Sequence, residues 1–153
     1  MDVATCRNGD VIPQVQDRDA WENLHAGAWC YYENDAKNGA KYGKLYNWYA
    51  VNDKRELARA GWHIHTDKEW KVLSIYLGEV GDWFSGLPTG DKMKNSSGWL
   101  DANGNADNNV NNSSGFSGLP GGHRYTNGNF VGVGHDGSWW STSFDANAVW
   151  GVF

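Results

Sequence analysis

Apolar positions recur at helical spacing most clearly between Thr66 and Gly78, where Trp70, Leu73 and Leu77 fall three and four residues apart and share one face. Ile75 and Tyr76 border that face. Thr66 and Glu69 have the spacing of a capping box: the hydroxyl bonds the Glu69 amide and the carboxylate returns to the Thr66 amide. Asp67 suits the positive end of the helix dipole, and Gly78 ends the helix. Gly61, Trp62 and His63 form an aromatic approach, and Trp62, Trp70, Leu73 and Leu77 are expected to anchor the core.

A shorter helix is predicted from Asp17 to Leu24, with Asp17 or Asp19 as N-cap and Trp21 and Leu24 facing inward. Trp29 to Tyr32 reads as a brief strand and Glu33 to Gly39 as a polar loop. Tyr42 to Asp53 is rich in aromatic residues between turn formers, and reads as a twisted strand-like segment buried on both sides. Gly, Asn, Ser and Asp dominate from Glu79 to Ser114. The spaced Trp83, Phe84, Leu87, Met93 and Trp99 predict a long loop packed down by its own side chains. Asn127-Gly128 lies between two strand-like runs and predicts a hairpin, because both turn residues tolerate positive φ. Asp136-Gly137 marks a second turn, and Trp139 to Ser143 with Ala148 to Phe153 reads as another antiparallel pair. The chain is thus α+β: two helices, a small twisted antiparallel sheet and long irregular loops in a single domain over residues 1–153.

Composition narrows the function classes. Ten tryptophans among 153 residues concentrate the apolar content in rings, and twenty glycines imply many turns. A net charge of -5 provides no basic footprint, so nucleic acid is not an expected partner. No apolar run reaches membrane-spanning length, so no membrane insertion is expected, and the opening residues do not read as a signal peptide. Cys6 and Cys30 lack metal-type spacing and fit either one disulfide or two buried thiols.

His63 and His65 alternate, but a tetrahedral zinc site needs three or four converging ligands, and Asp67 and Glu69 are better explained by capping. His123 and His135 are candidates for polar contacts on the sheet. Asp101, Asn103, Asn105 and Asp107 place oxygen atoms at every second residue, like the start of a calcium loop. Against that, Gly104 stands fourth instead of sixth, and Asn112 occupies the place of the closing bidentate Glu, as a plain Asx-turn loop would allow. No cofactor is expected apart from this calcium candidate. The chain holds no Gly-x-Ser-x-Gly elbow, phosphate-cradling loop or His-Glu-x-x-His. The excess of Asn, Ser, Gly, Tyr and Trp is instead the chemistry of a binding surface.

Four ordered motifs span most of the chain: Tyr42 to Asp53, Gly61 to Trp70, Gly115 to Gly122, and Gly137 to Thr142. Together they resemble the Fibrobacter succinogenes major paralogous domain. That family is in turn similar to the C-type-lectin-like fold of formylglycine-generating enzymes and of the variable proteins of diversity-generating retroelements. His65 stands where the family usually carries proline. Family domains generally begin with a strand before the region matching Met1 and close with one after the region matching Phe153, which implies either a chain trimmed at both ends or one that stops early and takes strand pairing from a neighbour.

The reactive cysteine pair of formylglycine-generating enzymes has no counterpart after Cys30, so the resemblance does not carry their oxidation chemistry over. Resemblance to the variable proteins implies that ligand-facing positions lie between Tyr125 and Trp150. The candidates are Tyr125, Asn127, Asn129, Phe130, His135, Ser138, Trp139, Ser141, Ser143, Phe144, Asp145 and Asn147. The expected function is a non-enzymatic, receptor- or adhesin-type module, hypervariable in the retroelement manner, outside the cell on a phage particle or bacterial surface. Its partner would be a protein or glycan ligand on a cell surface, and an oligomer is compatible with this. The alternatives are a metal-dependent enzyme built on Asp101, Asp107 and Asp136, and a structural or adhesion domain.

Overall fold

A computed structural model of the chain describes residues 2–78 and 89–143. It is α+β, and it divides into two compact units. The first comprises residues up to 64 together with 123–131, and the second runs over 65–122 and from 132 onward.

In the first unit, α1 (Arg18–Glu22) starts where Asp17 accepts a hydrogen bond from the Ala20 amide at 2.8 Å, and it buries Trp21. β1 (Trp29–Cys30) pairs antiparallel with β2 (Leu45–Tyr46), Trp29 opposite Tyr46 and Cys30 opposite Leu45. Between them, the expected polar loop is instead a 3-10 turn at Tyr32–Asn34 followed by α2 (Ala36–Tyr42). Asp35 caps α2 by accepting from the Lys37 amide. Gly39 lets α2 lie on Tyr31, whose ring would be 2.4 Å from a Cβ at that position.

The strand-like reading of Tyr42 to Asp53 is also corrected. Strand pairing stops at Tyr46, because the Asn47 side chain accepts from the Ala50 amide at 3.0 Å and starts α3 (Trp48–Val51). The same side chain accepts from the Ala28 amide and donates to the Ala26 carbonyl. Trp62, expected in the core, is 73% exposed. A turn from Arg59 to Trp62, with Gly61 at φ +83°, turns the backbone so that the ring faces solvent.

The core of this unit gathers Trp21, Ala28 and Cys30 with Val15, Leu24, Leu45 and Phe130. Cys6 and Cys30 are both free and buried, and burial pushes both thiols above their ordinary pKa. Arg124 binds this core together. Its guanidinium lies 4.4 Å from the Trp21 ring centre and 4.6 Å from that of Phe130. It donates to the carbonyls of Val15 at 2.8 Å, Gln16 at 3.0 Å, Gly128 at 3.0 Å and Asp17 at 3.4 Å.

In the second unit, α4 (Asp67–Tyr76) begins with the predicted capping box. The Thr66 amide donates to Glu69 Oε2 at 2.8 Å, and the Glu69 amide donates to Thr66 Oγ1 at 3.3 Å. Trp70 and Leu77 are buried against Met93 of α5 (Thr89–Met93), with Leu73, Phe116 and Trp139 packed around them. Val72, Ile75 and Tyr76 stay exposed on the other side of the helix. The expected long loop therefore contains a helix, and it also carries isolated bridges between Lys94 and Gly118 and between Leu100 and Ala106. Trp99 is buried and donates from Nε1 to the Gly118 carbonyl at 3.0 Å. Trp83, Phe84 and Leu87 lie outside the described residues.

The predicted hairpin is present as β3 (Gly121–Arg124) and β4 (Phe130–Val133). The following turn lies slightly earlier than Asp136-Gly137, since the His135 and Asp136 amides both donate to the Gly132 carbonyl. Gly132 has φ +80°, and a Cβ there would lie 2.1 Å from Asp136 Oδ2, so both conformation and space require glycine. Trp139 to Ser143 forms no strand, apart from a bridge between Gly122 and Gly137 just before it. Its supposed partner, Ala148 to Phe153, lies outside the described residues. Among the described residues no helix is long and apolar enough to cross a membrane.

Two predictions follow from these contacts. Replacing Arg124 by alanine takes the donor from the part-buried Val15 and Gly128 carbonyls and unstacks two rings, so unfolding in urea should show a loss of about 3 kcal/mol, since each stranded group costs about 1–3 kcal/mol. Arg124→Lys should recover only part of it, because an ammonium cannot reproduce the planar fork. Separately, the Tyr46 hydroxyl donates to the Val3 carbonyl and accepts from its amide, and burial pushes its pKa from 10.0 up to about 12. Its contribution to stability is complete below pH 10 and falls as pH rises through 12, because the unfolded chain loses the proton first. Tyr46→Phe should flatten that alkaline limb in pH-dependent thermal melts.

Candidate functional site

The turn joining β3 to β4 is fixed by its own backbone. The Tyr125 amide donates to the Asn129 carbonyl at 2.8 Å, the Gly128 amide donates to the Tyr125 carbonyl at 3.0 Å, and Gly128 sits at φ +81°. Asn127 Oδ1 accepts from the Asn129 amide at 3.1 Å. From below, Arg18 Nε donates to the Asn127 carbonyl and Trp21 Nε1 to the Tyr125 carbonyl. The backbone is held while the side chains of Tyr125, Asn127 and Asn129 face solvent; Tyr125 is 51% exposed, and its ring meets His123 edge-on at 4.7 Å.

Other sequence candidates sit elsewhere. Phe130 is half-buried and packs in the first core beneath Arg124. Trp139 belongs to the second core, edge-on to Phe116 at 5.3 Å. Ser141 is fully buried and accepts from the Ser143 amide, and Ser143 Oγ accepts from the Asp67 amide at the start of α4. Ser138 is half-buried with its hydroxyl inside the protein, and His135 is exposed on the second unit. Phe144, Asp145 and Asn147 lie outside the described residues. Of the twelve, the structure groups Tyr125, Asn127 and Asn129 on one exposed tip.

The Asp101 loop closes on itself. Asp101 Oδ1 accepts from the Asn103 and Asn105 amides, both at 2.9 Å, and the Asn105 amide foremost holds the carboxyl below its ordinary pKa. Asp107 lies 3.8 Å from Lys94 and caps the Asn109 amide. Asn103 and Asn105 are exposed.

Sequence reasoning assigned no role to the N-terminal segment. There, a groove of 390 Å³ is lined by Asp2, Val3, Thr5, Arg7, Arg59 and Ala60, among others. Arg7 Nη2 donates to the Trp62 carbonyl at 2.7 Å, which places the backbone of that exposed tryptophan at the groove's edge. Most of the surrounding charge is paired: Arg7 with Glu56, Asp2 with Lys44, and Arg55 with both Asp10 and Asp53. Arg55 holds Asp53 down at about 2 and Asp10 below the usual carboxylate range.

The model of the Fibrobacter succinogenes major domain matches residues 1–151. The chain belongs to that family. No curated protein and no solved structure matches it. In this Fibrobacter succinogenes major domain, the hairpin tip was found through Asn127-Gly128 and its flanking Tyr and Asn residues. The groove was missed because Trp62 beside a helix start reads as core. Arg59, two residues before Gly61, was the available signal that the approach segment faces water.

Truncation should separate the two kinds of candidate. Trp139→Ala is expected to cost about 3 kcal/mol through cavity formation, whereas Tyr125→Ala should stay within about 0.5–1 kcal/mol of the parent protein, as surface changes do. Chemical denaturation of the two variants checks this.

Proposed function

We propose that this domain is a non-enzymatic ligand-binding module whose contact surface is the β3–β4 hairpin tip. The observation that carries the reading is the exposed Tyr125 beside Asn127 and Asn129 on a turn fixed from below by Arg18, Trp21 and Arg124. A pre-formed surface avoids the entropy of ordering a loop on binding. Tyrosine supplies contact area with few rotatable bonds, and asparagine adapts its hydrogen bonds to the ligand.

The resemblance to lectin-like variable proteins supports the same reading. It implies a C-type-lectin-like scaffold displayed on a phage particle or bacterial surface and directed at a protein or glycan of a target cell. Exposed tip side chains would tolerate diversification, because the backbone bonds that shape the turn do not depend on the identity of Tyr125 or Asn129.

Binding of the fluorescently labelled protein to a printed glycan array and to a panel of bacterial cells tests this function. Saturable binding is expected on at least one target, weakened at least tenfold by Tyr125→Ala and Asn129→Ala together while the melting temperature holds. Binding that survives the double variant would move the contact surface elsewhere, and no saturable target at all would sink the reading.

A further inference from the structure

None of the residues picked for binding lines the groove that holds Arg59, and its chemistry is specific. Of the charged side chains lining it, Arg7 is tied to Glu56 and to the carbonyls of Ala58 and Trp62, and Asp2 is tied to Lys44. Lys44 is itself held over the Trp29 and Tyr31 rings. The Arg59 guanidinium is exposed and has no partner among the described residues. The groove therefore presents one uncompensated cation whose planar fork matches a carboxylate in bidentate geometry. Three residues on, Trp62 closes a turn with its amide on the Arg59 carbonyl and gives its own carbonyl to Arg7, and its indole has 73% of its surface open, far more than the other tryptophans of this unit, Trp21, Trp29 and Trp48.

A strand-like peptide is poorly served here, because it would need free backbone groups along an edge. The groove segment has already used most of its own. Val3 exchanges both of its groups with the Tyr46 hydroxyl, the Ala4 carbonyl accepts from Ile12, and the Cys6 amide donates to Asp10. Its carbonyl accepts from Gly9, and the Arg7 amide bonds to Glu56. Recognition must then run through side chains: the Arg59 guanidinium and the Thr5 side chain in the groove, and the exposed Trp62 indole carried by the backbone at its edge. The electron-rich face of an indole attracts the weakly positive C–H face of a pyranose ring. A volume of 390 Å³ lies at the small end of the roughly 300–1,000 Å³ range of ligand pockets.

We propose that this groove binds a saccharide bearing a carboxylate, such as a uronic acid unit, with Arg59 on the carboxylate and Trp62 stacked on the sugar ring. The site deepens the ligand-binding reading by naming a ligand class, and it does not depend on the hairpin tip. The two can fail separately, because array and cell binding by the Tyr125 and Asn129 variant reads the tip, and the titration below reads the groove.

The test is titration of the full chain with tri-galacturonate, maltotriose and triglutamate by calorimetry at low and at physiological salt. Saturable binding of tri-galacturonate is expected, at least tenfold tighter than maltotriose and triglutamate, and weakened by salt as an ion pair near the surface requires. Arg59→Gln and Trp62→Ala should each weaken it at least tenfold with unchanged thermal melts, since both side chains are exposed. Tyr76→Ala, on an exposed face of the second unit, should leave it unchanged. No saturable binding of tri-galacturonate overturns the proposal. Equal or tighter binding of triglutamate or maltotriose overturns the ligand class, and an unchanged affinity in both groove variants overturns the site.

Discussion

Backbone amides and carbonyls must find partners wherever the chain leaves water, and in this protein short strands and four- to ten-residue helices supply few of them. Side chains take over the task. Asn47 serves three backbone groups by itself, Asp101 closes a loop through two amides, and Arg124 serves four carbonyls. Trp21, Trp29 and Trp99 each bury a ring and give an indole N–H to a distant carbonyl. The unusual content of Trp and Asn follows from this requirement. A tryptophan fills space that an aliphatic side chain could also fill, and it satisfies a carbonyl that the aliphatic side chain would strand.

Arg124 shows how far one such side chain reaches. Its carbonyl partners lie at Val15, Gln16 and Asp17 on one side and at Gly128 on the other, more than a hundred residues apart in sequence, while its flat faces touch Trp21 and Phe130. The hairpin turn is thereby fixed to the N-terminal segment without any strand pairing between them. This is why a two-strand ribbon, marginal in isolation, can carry a defined surface at Tyr125, Asn127 and Asn129.

The sequence disclosed those features whose cause is local. Thr66 and Glu69 form the capping box at the spacing read, Asp17 caps α1, and Asn127-Gly128 makes the turn. It concealed features decided by distant contacts. Glu33 to Gly39 looked like a polar loop, yet Gly39 allows helix α2 to rest on Tyr31, a packing that composition does not encode. Tyr42 to Asp53 looked extended, but Asn47 ends the strand because its side chain also bonds to Ala26 and Ala28. The hairpin tip was legible because turn chemistry is local, although the alternation of Phe130 and the core position of Trp139 were not. Tryptophan is a poor guide to facing: Trp70, on α4, is 4% exposed and Trp62, in the turn that precedes the helix, 73%, eight positions apart in one motif.

The self-closed loop at Asp101 has a consequence for how this protein can change. One carboxylate sets the path of the backbone through the Asn103 and Asn105 amides, and amides are common to every residue except proline. The side chains at Asn103 and Asn105 are therefore interchangeable as far as shape is concerned, and both face water. Mutational tolerance is thus concentrated beside an intolerant aspartate, which makes the loop a natural place to carry a tag, a probe or a grafted peptide while the architecture around it is retained.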